Sequence, residues 1–418
     1  MGQTDQVNTV WIPGSKSISH RAAIAAGLAK GKSQLKEFLH CEDTLYTVQA
    51  LSQLGVACSC RAETLEIEGR GNSLATPSSK EEIFVGNSGT SLRLLLGVAA
   101  LARGDIVLTG TTRMQQRPIG DLVEALRQLG VRIDYLATER FPPVVMRSTG
   151  IKGGKVRIDA SVSSQFISSL LLIAPYAERD VEIEVMSKAV SSPYIDLTIE
   201  TMRQFGVSVE QDEYRYFKIP HGQQYTPRDL VIEGDVSSAS YFWAAAAVRS
   251  GTVVTKNIYP HSTKQGDIHF LDILEEMGCE VEREKDQVIV HGSELKGVKV
   301  DMSHMPDMVP TLAAIALFAK GKTHIRNVAH LRHKESDRLR AIATEWKRLG
   351  ARVDELADGL IIHGGRPLKP APVDPHNDHR IAMSLAVVGL KVEGIKLQHP
   401  GCVSKSMPNF WKLWDKIG

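Results

Sequence analysis

The sequence predicts an α/β protein of two domains, each built from three βαβαββ units, and three observations predict it. The first is a recurring pattern of helix, large apolar residue, glycine, small apolar residue and strand. It stands at LSQLGVACS, LRQLGVRID, MRQFGVSVE, LEEMGCEVE and WKRLGARVD, whose glycines Gly55, Gly130, Gly206, Gly278 and Gly350 are spaced 72–76 residues apart. A sixth copy, FWKLWDKIG, ends at Gly418, 68 residues further on. The second is an Ala- and Leu-rich stretch about 25 residues upstream of each glycine, as in AAIAAGLAKGK, LLLGVAALARGD and FWAAAAVRSGT. The third is a β-type run after each such stretch, for example DIVLTG, VEIEVM or THIRNV.

Each glycine falls where a helix C-terminus needs a residue that tolerates positive φ. The Ala/Leu stretches carry apolar residues at i, i+3 and i+4 with few polar interruptions, which predicts helices buried on nearly all sides. Residues 82–147 read through as strand, buried helix, strand, amphipathic helix, strand, strand. The sixth unit lacks closing strands, and the N-terminal VNTVWIP is a strand-like stretch able to supply one. The expected domains are therefore 15–234, and 1–14 plus 235–418, joined by a two-strand hinge near 14 and 235.

A chain of 418 residues can bury two cores, and its 43% hydrophobic and 23% charged content is that of a soluble protein. Lys+Arg is 50 against Asp+Glu 48, so no global charge favours nucleic acid or a membrane surface, and any cationic site must be local. Five cysteines, Cys41, Cys58, Cys60, Cys279 and Cys402, lack metal-ligand spacing and predict inert thiols in a reducing compartment. With no signal-type N-terminus and no long apolar run, a cytoplasmic protein is expected.

The loops entering the buried helices are SKSISHR (15–21), NSGTS (87–91), SVSSQ (161–165), DVSSAS (235–240), SHMPD (303–307) and NDHR (377–380). Capping alone explains Ser, Asp and Asn there, and for DVSSAS it suffices. It does not explain Lys16, Arg21, Arg93 and the His379-Arg380 pair. The loops before the amphipathic helices repeat the theme with Arg113, Arg117, Lys264, Lys334, Arg338 and Lys405. Cations gathered at helix N-termini, each adding a charge-assisted bond of about 1.5–3 kcal/mol, suit a small, multiply anionic ligand. Among them stand two carboxylates, Asp307 and Glu335, each either a neutralising partner or a general base. SVSSQ offers hydroxyls and an amide for phosphate or sugar-like hydroxyls, and Tyr194 could stack on a ring. GLAKGKS (27–33) is one residue short of a P-loop and sits at a helix end. His330/His333 and His376/His379 have Lys or Arg beside them and no matching further ligands, so no metal site is expected.

These segments bring out a likeness. PGSKSISHR (13–21), GNSGTSLR (86–93), RMQQRPIGDL (113–122), SVSSQF (161–166), SSPYID (191–196), EGDVSSASYF (233–242), MPD (305–307), RHKESDRL (332–339), NDHRIAM (377–383) and VSKSMP (403–408) stand in order. The chain resembles the 5-enolpyruvylshikimate-3-phosphate synthase family over essentially its full length. The resemblance implies a two-domain enolpyruvyl-transferase-like fold of six βαβαββ repeats that closes on its substrates. It also implies transfer of the enolpyruvyl group of phosphoenolpyruvate to the 5-hydroxyl of shikimate 3-phosphate, by a monomer with no cofactor or metal.

By motif position, Lys16, Ser17, Arg21, Ser163, Ser164, Gln165, Ser191, Tyr194, Asp307, His330 and Lys334 are expected on shikimate 3-phosphate. Lys16, Asn87, Gly89, Arg117, Gln165, Arg338, Arg380 and Lys405 are expected on phosphoenolpyruvate. Asp307, assisted by Lys16, is the expected base for the 5-hydroxyl. Glu335, with His379 nearby, is expected to protonate and deprotonate the methylene carbon. Two positions depart from the family pattern: His330, where some members have Asn, and Leu94, where Pro often follows the GNxGTxxR arginine. The family's inhibitor glyphosate occupies the phosphoenolpyruvate site. The sister transferase acting on UDP-N-acetylglucosamine carries a reactive Cys in the loop equivalent to 111–118, which here reads TTRMQQRP. A non-catalytic phosphometabolite binder would have no need of Asp307 and Glu335 together.

Overall fold

The computed structural model describes residues 8–77 and 82–417, in two compact units. One unit is Ser15–Ile232, with helices α1 (Lys16–Leu28), α2 (Glu42–Gln53), α3 (Gly89–Ala99), α4 (Gly120–Gln128), α5 (Gln165–Ile173) and α6 (Pro193–Gln204). The other joins the segment up to Gly14 to Glu233–Gly418. It holds α7 (Val236–Arg249), α8 (Phe270–Met277), α9 (Val309–Ala316), α10 (Arg338–Arg348), α11 (His379–Gly389) and α12 (Phe410–Trp414).

The odd-numbered helices are the Ala/Leu stretches, and they are buried almost throughout. In α7 every residue from Val236 to Val248 is buried, including Trp243, whose indole N–H donates to Thr255 Oγ1 at 2.8 Å. Fully burying such a side chain contributes roughly 1.5–3 kcal/mol, provided its polar atom finds a partner. The even-numbered helices are amphipathic. Five of them run into the repeated glycines, with φ of 87°, 92°, 85°, 117° and 86° at Gly55, Gly130, Gly206, Gly278 and Gly350. Gly418, the last of the series, lies outside the described residues.

Each unit of the repeat makes its own small sheet. In the second, Ile83–Phe84 pairs parallel with Arg103–Thr109 across α3, and Val144–Thr149 and Arg132–Tyr135 add antiparallel. A buried helix supplies the crossover that parallel neighbours need. Two sheets have exchanged their opening strands. Asn8–Trp11, which leads into α1, pairs with Thr252–Lys256 of the fourth repeat. Leu230–Val231, which leads into α7, pairs with Lys30–Lys36 of the first.

The exchange corrects one expectation. The N-terminal strand completes the fourth repeat, not the sixth, whose sheet is the two-stranded Pro372–Val373/Lys396–Leu397. The reason lies in the opening-strand position: the fourth repeat has given its own opening strand to the first, so the vacant parallel edge is on Thr252–Lys256. The second crossing falls between Ile232 and Glu233, two residues ahead of the expected boundary. Glu233 and Gly234 already bond within the second unit, through Gln265 Nε2 at 2.9 Å and Asn257 O at 2.8 Å. Each unit has a separate apolar core.

Candidate active site

Six polar loops precede the odd-numbered helices, but side chains cap only three of them. Ser88, Asp235 and Asp378 accept from backbone N–H groups at the starts of α3, α7 and α11, whereas α1, α5 and α9 have no side-chain cap. DVSSAS is thus a cap in fact, and before α5 Ser163 Oγ accepts from Gln165 N at 3.2 Å.

In the Ser15–Ile232 unit, a chain of buried hydrogen bonds ties the starts of α1, α2 and α3. Lys16 Nζ lies 3.2 Å from the buried Asp43 carboxylate. Ser91 Oγ donates to the Asp43 carbonyl at 2.9 Å and lies 2.7 Å from Ser88 Oγ. Thr47 Oγ1 donates to Ser91, and His20 Nδ1 sits 2.8 Å from Thr47.

Arg21, one turn into α1, is 1% exposed. Its guanidinium donates to Thr198 Oγ1 (2.7 Å), Ser17 O (2.9 Å), Tyr194 O (3.1 Å) and Ser168 Oγ (3.3 Å). All four partners are neutral, and burial pushes its pKa down to about 10. Tyr194 enters this cluster through its carbonyl, in the first turn of α6. Ser191, just before that helix, is buried and held at a φ of 54°.

Arg117 is buried beside Gly89, with Nη1 donating to Asn87 O at 3.0 Å. A Cβ on Gly89 would stand 2.3 Å from Arg117 Nη2, so glycine there leaves room for the guanidinium. Arg93 was not expected on either substrate, yet it organises the SVSSQ loop. It donates to Gln165 Oε1 (2.9 Å) and Ser163 Oγ (3.3 Å), and lies over the Phe166 ring at 5.3 Å. Gln165 Nε2 in turn donates to Thr90 Oγ1 at 2.9 Å. The signal was present in the sequence, since Arg93 is one turn on from Gly89 at a helix start. Leu94 is buried within a regular α3.

In the second unit the cations meet carboxylates. Arg338, 1% exposed at the start of α10, donates Nη1 to Asp307 (2.8 Å), Nη2 to Glu335 (2.9 Å) and Nε to Asp378 (2.9 Å). Burial works to lower its pKa, but Asp378, Glu335 and Asp307 outweigh that and hold it raised. The other Asp307 oxygen, Oδ2, accepts from Arg380 Nη2 at 2.7 Å, and Lys334 Nζ is 3.7 Å from Oδ1. His379 is wholly buried, with Nδ1 3.8 Å from Asp378. Lys405 is buried at the end of a 3₁₀ segment, Pro400–Lys405.

His330 is buried too. Burial first, and Lys334 second, push its pKa down to about 4, which leaves a neutral ring. Its Nε2 has no hydrogen-bond partner among the described residues.

The TKQGD loop differs from expectation. Lys264 points to the surface, while Gln265 and Asp267 are buried. Asp267 accepts from Ser237 Oγ at the start of α7. Burial, then the charge of Asp307, pushes its pKa up to about 7. Nothing in the sequence marks Asp267 above the lysine three residues before it.

Among the described residues, no group of three or more His, Cys, Asp or Glu side chains is gathered to hold a metal ion. None of the described helices is long and apolar enough to cross a membrane. The five cysteines are free, and burial raises Cys41, Cys58 and Cys279 to about 11.

The family model of EPSP synthase (3-phosphoshikimate 1-carboxyvinyltransferase) matches residues 1–414. The 3-phosphoshikimate 1-carboxyvinyltransferase of Vibrio vulnificus (strain YJ016) is 45% identical over 409 residues, which is 97% of this chain and 94% of the relative. The enzyme of that name from Shewanella pealeana (strain ATCC 700345 / ANG-SQ1) is 43% identical over 412 residues, 98% of this chain and 96% of the relative. A solved structure of EPSP synthase from Acinetobacter baumannii superposes with a TM-score of 0.82 at 30% identity, over 100% of this chain and 97% of that one.

Proposed function

Since the chain belongs to the EPSP synthase family, we propose that its two polar clusters act on one pair of substrates, in the roles that follow. The chain transfers the enolpyruvyl group of phosphoenolpyruvate to the 5-hydroxyl of shikimate 3-phosphate and releases phosphate, in the shikimate pathway to chorismate and the aromatic amino acids.

The observation that carries the assignment of residues is Arg21. A buried guanidinium with only neutral partners lacks a counter-charge, and burial of an uncompensated ion is costly. An anionic group of shikimate 3-phosphate supplies it. Ser17, Ser163, Ser164, Gln165, Ser191 and Tyr194 hold the rest of that substrate, joined by Lys16, Asp307, Lys334 and the neutral ring of His330. Phosphoenolpyruvate lies on Arg117, Asn87 and Gly89, with Lys16 and Gln165, and takes Arg338, Arg380 and Lys405 from the second unit.

In the reaction, Asp307 removes the 5-hydroxyl proton with Lys16 assisting, and the oxygen bonds to C2 of phosphoenolpyruvate. Glu335 gives a proton to C3, making a methyl group on a tetrahedral carbon. A methyl proton then returns to Glu335 as the C–O bond to phosphate breaks. Glu335 is paired with Arg338, so its acid role depends on closure that expels water. His379, the buried residue beside Asp378, assists Glu335 in this proposal. The chain works in the cytoplasm as a monomer.

Purified protein given phosphoenolpyruvate and shikimate 3-phosphate is expected to release phosphate, and none when UDP-N-acetylglucosamine replaces the shikimate. Release with the sugar nucleotide alone would overturn the assignment.

A further inference from the structure

One fully buried carboxylate of the second unit has no part in these steps. Glu345 lies on α10 seven residues after Arg338, two helical turns along the same face. Its side chain is 0% exposed. Charged side chains are almost never fully buried unless paired, and apart from Arg348 on its own helix the partners of the Glu345 side chain belong to one loop. Its Oε2 accepts from the backbone N–H of Asp374 at 3.0 Å, and its Oε1 is 3.0 Å from His376 Nε2. Arg348, one turn on, approaches Oε2 at 3.4 Å.

The loop so held is unusual. His376 and Asn377 both sit in the left-handed region, with φ of 54° and 52°. Two successive non-glycine residues there persist only when their surroundings over-determine them. Inside the loop, Asp374 Oδ1 accepts from His376 N at 2.7 Å and Pro375 O accepts from Asp378 N at 2.9 Å. At its far end Asp378 takes the Nε of Arg338 and accepts from Arg380 N at 3.0 Å, capping α11. Helix α10 therefore grips the loop at both ends, with Glu345 at 374–376 and Arg338 at 378. The next residues are His379 and Arg380.

We infer that Glu345 is a positioning residue for phosphoenolpyruvate binding: it fixes the left-handed loop from which α11 starts, and thereby the place of Arg380. The inference rests on the reading of Arg380 as a phosphoenolpyruvate ligand. The shikimate 3-phosphate groups Lys334 and His330 come from other segments, and Asp307, although it accepts from Arg380, is also held by Arg338, so the effect falls mainly on phosphoenolpyruvate.

The test is steady-state kinetics with each substrate varied in turn. Glu345→Ala is expected to raise KM for phosphoenolpyruvate about tenfold or more, since a misplacement of about 1 Å already costs that much, while KM for shikimate 3-phosphate changes far less. Glu345→Gln, whose amide oxygen still accepts the Asp374 N–H, restores most of the loss. If Glu345→Ala does not fold, His376→Ala, which removes one arm of the clamp, is expected to give the same one-sided rise on a smaller scale. A lower thermal midpoint with both KM values unchanged, or an equal rise in both, would overturn the inference. Arg380→Gln is the control. If it leaves KM for phosphoenolpyruvate unmoved, the reading of Arg380 fails. If it raises that KM while neither clamp variant does, the inference about Glu345 fails alone.

Discussion

Replacing Gly89 with alanine isolates one contact of the proposed phosphoenolpyruvate site. Gly89 opens α3 in an ordinary helical conformation, so alanine suits the backbone and carries better helix propensity. The obstacle is Arg117, since the new Cβ would lie 2.3, 2.5 and 2.8 Å from Nη2, Cζ and Nη1. Non-bonded carbon contacts settle near 3.5 Å or more, so the guanidinium must retreat by about 1 Å. A displacement of that size forfeits a charge-assisted hydrogen bond to an anion, about 1.5–3 kcal/mol. At roughly 1.4 kcal/mol per factor of ten, KM for phosphoenolpyruvate rises about 10- to 100-fold. The assay is phosphate release at saturating shikimate 3-phosphate, with thermal unfolding as a check on the fold. An unchanged KM would refute the placement of Arg117. A matching fall in thermal midpoint would refute the claim that only the ligand contact is disturbed.

Three further outcomes are expected. Arg338→Lys leaves Asp307, Glu335 and Asp378 without the fork that joins them; breaking a buried pair of this kind costs about 3–5 kcal/mol, readable by denaturant titration. His330 has a folded pKa of about 4 against 6.5 unfolded, so the unfolded chain binds the extra proton and stability is lost as pH falls from 6.5 toward 4, by up to about 3 kcal/mol. Asp267 acts in the opposite sense below about 7, so the decisive curve is the difference between the protein and His330→Asn, which should be flat above pH 7 and shift in favour of the variant toward pH 4. Asp267→Asn removes a carboxylate whose ionisation is opposed by burial and by Asp307, and is expected to stabilise the protein more at pH 8 than at pH 5 in thermal melts.

Period and composition carried most of the fold. The five glycines are local requirements of helix ends, and the Ala/Leu stretches are local requirements of burial, so both stand in the sequence directly. The exchange of Asn8–Trp11 and Leu230–Val231 does not. Strands of four and two residues carry too little pattern to name a partner, which is chosen by which parallel edge is vacant elsewhere in the chain. The same distinction divides the cluster residues. Arg21, Arg117 and Arg338 lie in recognisable loops, but the partners that set their charge state lie far off in sequence. Asp378 is 40 residues from Arg338, and Thr198 is 177 residues from Arg21. Composition alone made every cation look alike. Geometry separates Arg21, held by neutral oxygens, from Arg338, held by three carboxylates, and Lys264, held by neither.

Those carboxylates are what the proposed chemistry turns on, and Glu335→Gln in deuterium oxide tests it most directly. Glu335 accepts from Arg338 through Oε2, a bond that glutamine can keep, so both substrates should still bind with near-normal affinity by calorimetry. Turnover should fall by about 10²–10⁴, the usual worth of a positioned acid or base. Deuterium should pass from solvent into the methylene carbon of the enolpyruvyl group with the unaltered enzyme and not with the variant. Near-normal turnover, or undiminished deuterium incorporation by Glu335→Gln, would contradict the assignment.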